Sequence, residues 1–267
     1  MMLRNMRDPV DGSVLENKFE AVDERTGERI CAGSVEAHMN AQMYPAQPLR
    51  VRIRLQGAIE DQMTGALLGC ARGICTEAKV PARIYVSCAP DNAALVDYLA
   101  TFGFRDNDGQ VRMRCDLRDP DVIGKLPAGC VMVHDHLELP EEREFFLERY
   151  NNLYGTDHDM EWLDAYTDRD DFMRILAVAP TGLVNETIVW REGDVGVVGY
   201  TQTARRWRRK GVAREMLHYA ARYFVECGLE AMASIVHVSV PGLLQTFESA
   251  GFYQEKLLLR YPGMDVK

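Results

Sequence analysis

The 267-residue chain repeats itself once, and three landmarks share nearly one offset. Gly103-Phe104 closes an apolar helical segment at 93–102, and Gly251-Phe252 closes another at 242–250, 148 positions later. Upstream, Ala82-Arg-Ile-Tyr-Val-Ser-Cys88 and Ala231-Met-Ala-Ser-Ile-Val-His-Val238 are strand-type runs that each feed a helix. Further upstream, Gly65-Ala-Leu-Leu-Gly-Cys70 and Gly211-Val-Ala-Arg-Glu-Met-Leu217 begin helices 146 positions apart. Two copies of one fold are expected, residues 1–125 and 126–267, with Asp119-Pro120 and Pro127-Ala-Gly129 as breakers between them.

The first copy opens with a hairpin, 18–22 and 30–39, turned at Arg25-Thr-Gly27. Leu49-Arg-Val-Arg-Ile-Arg-Leu55 alternates strictly and predicts a strand. A helix near 58–77, a strand near 82–88, a helix at 92–102 and a closing strand at 110–115 follow. The second copy starts with a strand at 130–134. Pro140-Glu-Glu142 then opens a helix whose acids suit its dipole, with Phe146, Tyr150 and Leu153 on one face. A helix near 159–172, strands near 173–179, 184–191 and 195–203, a helix at 211–227, a strand at 231–238, a helix at 242–250 and a strand near 254–260 complete it. The class is mixed α/β (α+β), each copy a mostly antiparallel mixed sheet flanked by helices.

Between the strand ending near Thr203 and the helix starting at Gly211 lies a basic run: Arg205, Arg206, Arg208, Arg209 and Lys210, in a chain of net charge −9. A glycine that lets backbone approach closely, followed by a helix start with unpaired N–H groups, makes a natural anion site. Arg208-Arg-Lys-Gly-Val-Ala213 fits the pattern R/Q-x-x-G-x-G/A and resembles the pyrophosphate loop of the GNAT superfamily of N-acetyltransferases. The order of elements over 130–260 is similar to that fold, and the whole chain resembles a tandem GNAT arrangement with a shortened, degenerate first half. In that half, Gln62-Met-Thr-Gly65 keeps a Q-x-x-G start, but neither the following Ala-Leu nor any basic neighbour completes a cofactor loop.

The resemblance implies acetyl-CoA as cosubstrate, with Thr201, Gln202 and Thr203 alongside its pantetheine arm. Arg208, Arg209, Lys210, Gly211, Val212 and Ala213 would wrap the pyrophosphate, with Arg214 or Arg209 near a phosphate. The same run is also readable as a solvated face. Catalysis is less well matched. The position of the family's tyrosine acid is Phe247, that of its helix-opening Asn is Val240, and that of a glutamate base is Ile235. His237 shares a strand face with Ile235 and has a near-neutral ordinary pKa, so it is the candidate base, or else a structurally satisfied histidine. Tyr200 and Glu186 are reserves, read as a packing and a surface residue.

The remaining patterns bound the function. Segment 135–171 holds 13 acids against Arg143, Arg149 and Arg169, which reads as solvated helix faces or as a field that attracts a cationic acceptor. His134 and His136 share a strand face, but no Glu or Cys completes a ligand set, and no metal is expected. The acidic balance argues against nucleic acid. Seven cysteines without a C-x-x-C pair suggest reduced thiols, and no run reaches the roughly 20 apolar residues of a membrane span. With no leader-like N-terminus, the expectation is a cytoplasmic N-acetyltransferase acting on a small cationic amine or peptide, monomeric or homodimeric. A non-catalytic acyl-CoA-binding module is the alternative.

Overall fold

The computed structural model describes residues 1–8, 13–117 and 125–267, so the breakers Asp119-Pro120 lie outside the described residues. The chain divides into two compact units, Met1–Gly109 with Leu259–Lys267, and Gln110–Leu258.

The first unit contains β1 (Met2–Arg7), β2 (Val14–Val22), β3 (Arg29–Met39), β4 (Leu49–Gly57), α1 (Asp61–Ala78), β5 (Ala82–Val86) and α2 (Ala93–Ala100). Next come β6 (Gly109–Asp116), β7 (Val131–Asp135), α3 (Pro140–Tyr154), α4 (Met160–Thr167), β8 (Met173–Ala179), β9 (Gly182–Glu192) and β10 (Val195–Thr203). α5 (Val212–Glu226), β11 (Ala231–His237), α6 (Leu243–Ser249), β12 (Tyr253–Arg260) and β13 (Gly263–Val266) finish the chain. One sheet runs β1-β2-β3-β4-β5-β13 and the other β12-β6-β11-β10-β9-β8-β7. Each is mixed, with β4 parallel to β5 in the first and β10 parallel to β11 in the second.

The strand at 110–115 does not close the first copy. β6 pairs antiparallel with β11 in unbroken register from Ala231↔Asp116 to His237↔Gln110, and Val111, Met113 and Cys115 join the second unit's core. The first sheet is closed instead by β13, antiparallel to β5. Alternation of apolar residues fixes which face of a strand is buried but not which partner it takes, and the exchange is invisible locally. A second difference concerns Gly65. α1 begins at Asp61 with Glu60 as its N-cap, so Gly65 lies inside the helix and is not the counterpart of Gly211. α4 also ends at Thr167, short of 172, where Asp171 adopts a left-handed φ of 52°.

The second unit's core explains its stability. Met216, Leu217, Ala220 and Phe224 of α5 pack on Ile175, Val184, Val189, Val198, Met232 and Val236 of the sheet, all fully or nearly fully buried. Burial on this scale at about 25 cal/mol per Å2 of apolar surface is what holds α5, and with it the loop before it, in place.

Candidate functional site

The parallel pairing of β10 with β11 stops almost as soon as it starts. Only Gly196↔Met232 and Val197↔Ala233 are in register, yet β10 continues to Thr203 and β11 to His237. The last link is Ser234 Oγ, which donates to the Val198 carbonyl at 2.7 Å. Just beyond it, β10 bulges between Val198 and Tyr200. A strand that leaves its neighbour in this way offers backbone groups to an extended ligand, as a sheet edge does.

Thr201, Gln202 and Thr203 form the end of β10, and their side chains are engaged with its own sheet. Thr201 Oγ1 lies 2.9 Å from Thr187 Oγ1, Thr203 Oγ1 accepts from Asn185 Nδ2 at 2.8 Å, and Gln202 Oε1 accepts from the Tyr200 hydroxyl at 2.6 Å. Their backbone, not their side chains, is therefore the part on offer to a ligand.

A single 3-10 turn over Arg205–Trp207 leads into the loop. Arg208 Nε donates to the Thr203 carbonyl at 3.1 Å, Arg206 holds the Thr181 carbonyl, and the Lys210 ammonium sits 4.6 Å over the Trp207 ring. Arg209 and Gly211 both take left-handed backbone, with φ 62° and 77°. Alternating left-handed residues turn successive N–H groups toward one concavity. Gly211 is the N-cap of α5 without a side-chain cap, so the first-turn N–H groups of α5 have no side-chain acceptor from the cap residue. A Cβ at Gly211 would meet only Arg214 Nη2, at 3.8 Å, so the mouth of the helix is open. Among the described residues, no carboxylate lies within ion-pair distance of Arg205, Arg206, Arg208, Arg209 or Lys210. Arg214, by contrast, is tied to Glu215 at 2.9 Å. Five cations without carboxylate partners beside an uncapped helix start make a setting that suits an anion, and Val212 is buried in the core behind it.

His237 stands at the far end of β11. The Gln110 side-chain nitrogen donates to its Nε2 at 2.8 Å, which leaves the ring proton on Nδ1. Ile235, on the same face, is largely exposed, and Phe247 is fully buried in the core with no proton to offer. Of the histidine pair, His136 Nδ1 bonds the Phe172 carbonyl at 2.7 Å, and no group of metal-ligating side chains occurs among the described residues.

Sequence reasoning misplaced Glu186. It is not a surface residue but is 1% exposed on β9, where Arg149 of α3 holds its two oxygens at 2.7 and 2.9 Å. Arg174 Nη1 approaches it to 3.6 Å and is itself held by Asp135 and Glu142. The signal was there: Asn185-Glu-Thr187 interrupts an apolar strand with three polar residues, all buried. Such groups persist in a core only when satisfied. Tyr200, on the neighbouring strand β10, sits in an aromatic cluster with Phe146, Tyr150 and Tyr154. Burial first, and the Glu186 carboxylate second, push its hydroxyl well above the ordinary tyrosine range, so it is a bound donor and a poor acid near neutrality.

Residues 131–252 match the model of the Acetyltransferase (GNAT) family. No curated protein sequence matches the chain. Among solved structures, the chain is similar to a GCN5-related N-acetyltransferase from Sphaerobacter thermophilus, at 16% identity and a TM-score of 0.52 over 97% of this chain and 82% of that one. It is also similar to a conserved protein of unknown function from Enterococcus faecalis V583, a probable N-acyltransferase, at 10% identity and a TM-score of 0.53 over 91% and 61%. A tandem GNAT protein from the clavulanic acid biosynthesis pathway aligns at 13% identity and a TM-score of 0.45 over 93% and 82%. No helix among the described residues is long and apolar enough to cross a membrane. Residues 131–252 thus match the acetyltransferase (GNAT) family model, and the chain shares its fold with a GCN5-related N-acetyltransferase.

Proposed function

We propose that this chain is an acetyl-CoA-dependent N-acetyltransferase whose acceptor is the amine of a small cationic molecule or peptide. The observation that carries the reading is the open, uncapped start of α5 behind left-handed Arg209 and Gly211, flanked by cations with no carboxylate partner. Arg208, Arg209, Lys210 and the N–H groups of Val212, Ala213 and Arg214 would hold the pyrophosphate. The backbone of Thr201, Gln202 and Thr203, where β10 leaves β11, would lie along the pantetheine arm. Bound acetyl-CoA supplies an activated thioester. The chain's share is to fix that arm, keep an acceptor amine beside it and remove a proton from the amine. Acids on the exposed faces of α3 and α4 supply a negative field suited to a cationic acceptor.

His237 is the proposed base, through the Nε2 that Gln110 now occupies or through water. His237→Ala should cut turnover by about 100-fold or more, the range of a lost general base, with CoA affinity nearly unchanged. Unchanged turnover in steady-state assays would retire it. Buried Phe247, Val240 and exposed Ile235 favour the second reading, an acyl-CoA-binding module without turnover. Calorimetry with acetyl-CoA, followed by free-thiol release over a pool of amines, separates the two. Binding with release supports the enzyme, binding without release supports the module, and no binding removes both.

A further inference from the structure

The motif that this function leaves unused is the alternating strand Leu49–Leu55. β4 gives Leu49, Val51 and Ile53 to the core with α1 and turns Arg50, Arg52 and Arg54 to the opposite face of the first unit's sheet. Register adds His38 and Arg83 beside Arg50, and Glu36 and Tyr85 beside Arg52. Three of these four arginines have carboxylates. Arg50 bonds Asp108 at 2.8 Å, Arg83 bonds Asp265 at 2.8 Å and approaches Asp108 to 3.6 Å, and Arg54 bonds Glu36 at 2.9 Å.

Arg52 has none. It is half-buried, makes no hydrogen bond or ion pair among the described residues, and its Nε is closed off from solvent without an acceptor. Two residues away on the same face, about 7 Å along the strand, Arg50 is 2% exposed and its Nη1 also lacks an acceptor. The Arg50 guanidinium is clamped between the Tyr44 ring at 4.2 Å and the Tyr85 ring at 4.9 Å, so it cannot swing away to find one. Burial, then Arg50 and Arg52, push His38 below its ordinary pKa, so it adds no anion and resists becoming another cation. A half-buried cation surrounded by others, with donors unused, destabilises a sheet unless an acceptor arrives from outside.

We propose that this face of the first unit is a binding site for the carboxylate of a small organic molecule. Arg52 is the anchor, and the Tyr85 ring beside it flanks the organic remainder. One cation without a counter-ion calls for one negative charge, which a carboxylate supplies and a phosphate dianion exceeds. Arg–carboxylate geometry adds a two-pronged fit.

The test uses the full chain with 15N-labelled arginine and follows Nε–Hε cross-peaks by NMR during titration with sodium benzoate, against sodium chloride and sodium phosphate at equal ionic strength. A saturable shift of the Arg52 peak, identified by its loss in Arg52→Met, is expected with benzoate and at least tenfold weaker with phosphate. In Arg52→Met, Arg50, Arg54 and Arg83 of this face should show no saturable response to benzoate. Without ligand that variant should melt higher than the parent, since methionine keeps the packing of the stem and removes the unpaired cation. A shift of the Arg52 peak that follows ionic strength alone, a saturable benzoate response of Arg50, Arg54 or Arg83 kept in Arg52→Met, an equal response of the Arg52 peak to phosphate, or a lower melting temperature in the variant would each overturn the proposal.

Discussion

Gly211→Asp is expected to remove acetyl-CoA binding while leaving the second unit folded. At φ 77° any side chain is strained, but aspartate is among the residues that tolerate left-handed backbone best. There is room, since the new Cβ would face only Arg214 Nη2 at 3.8 Å. The carboxylate would place a negative charge at the positive end of α5, worth about 0.3–1 kcal/mol, similar in size to the strain it offsets. The melting temperature should therefore move little. Binding should not survive, because the new carboxylate takes the first-turn N–H groups and the surrounding cations that a pyrophosphate needs, and repels what remains. A loss of at least about 100-fold in affinity, near 2.7 kcal/mol, is the expected calorimetric result. Gly211→Asn separates charge from shape: it tolerates the same φ without the negative charge, and should lose markedly less. If Asp binds as well as the parent, the loop does not hold the cofactor.

Much of this site could be read from residues alone, because its signals are local. A glycine after five cations and before an amphipathic run says where a helix starts and that cations flank its mouth. β8 and β10 fall where alternation and turn residues put them, at 173–179 and 195–203. What escaped the reading is non-local. β1 has no clear alternation in Met-Leu-Arg-Asn-Met-Arg, and β13 is four residues following Pro262. Both exist through their pairing with β2 and β5. β6 carries a clear pattern, but its pattern fits either sheet. Glu186 reads as a surface acid until α3 brings Arg149 over it from 37 residues away. Gly199 escaped for the same reason: its neighbours come from β9 and α4, and no local pattern marks it.

Gly199→Ala should have the largest effect on stability. The residue sits at the bulge of β10 and points toward the helical side, where an added Cβ would lie 1.8 Å from Trp190 Cζ3 and 2.9 Å from Tyr166 Oη. Neither neighbour can yield cheaply. Trp190 donates to Glu192 at 2.8 Å, lies under the Arg169 guanidinium at 4.2 Å and packs edge-on against Tyr166. Tyr166 is buried among Phe146, Trp162 and Phe172. Either the indole leaves its place or the strand shifts, and overpacking of this kind costs about 3 kcal/mol. For a unit of this size that is a fall of roughly 10 °C in melting temperature. A strand shift would also move the end of β10, so affinity for acetyl-CoA should drop along with stability, unlike in Gly211→Asp. The sharper test is a cycle with Trp190→Leu, which frees the space. In the Gly199→Ala background that second change should cost clearly less than it does alone, a coupling of more than about 1 kcal/mol. Additive losses would mean that the indole does not block the alanine, and that the bulge needs glycine for some reason other than room.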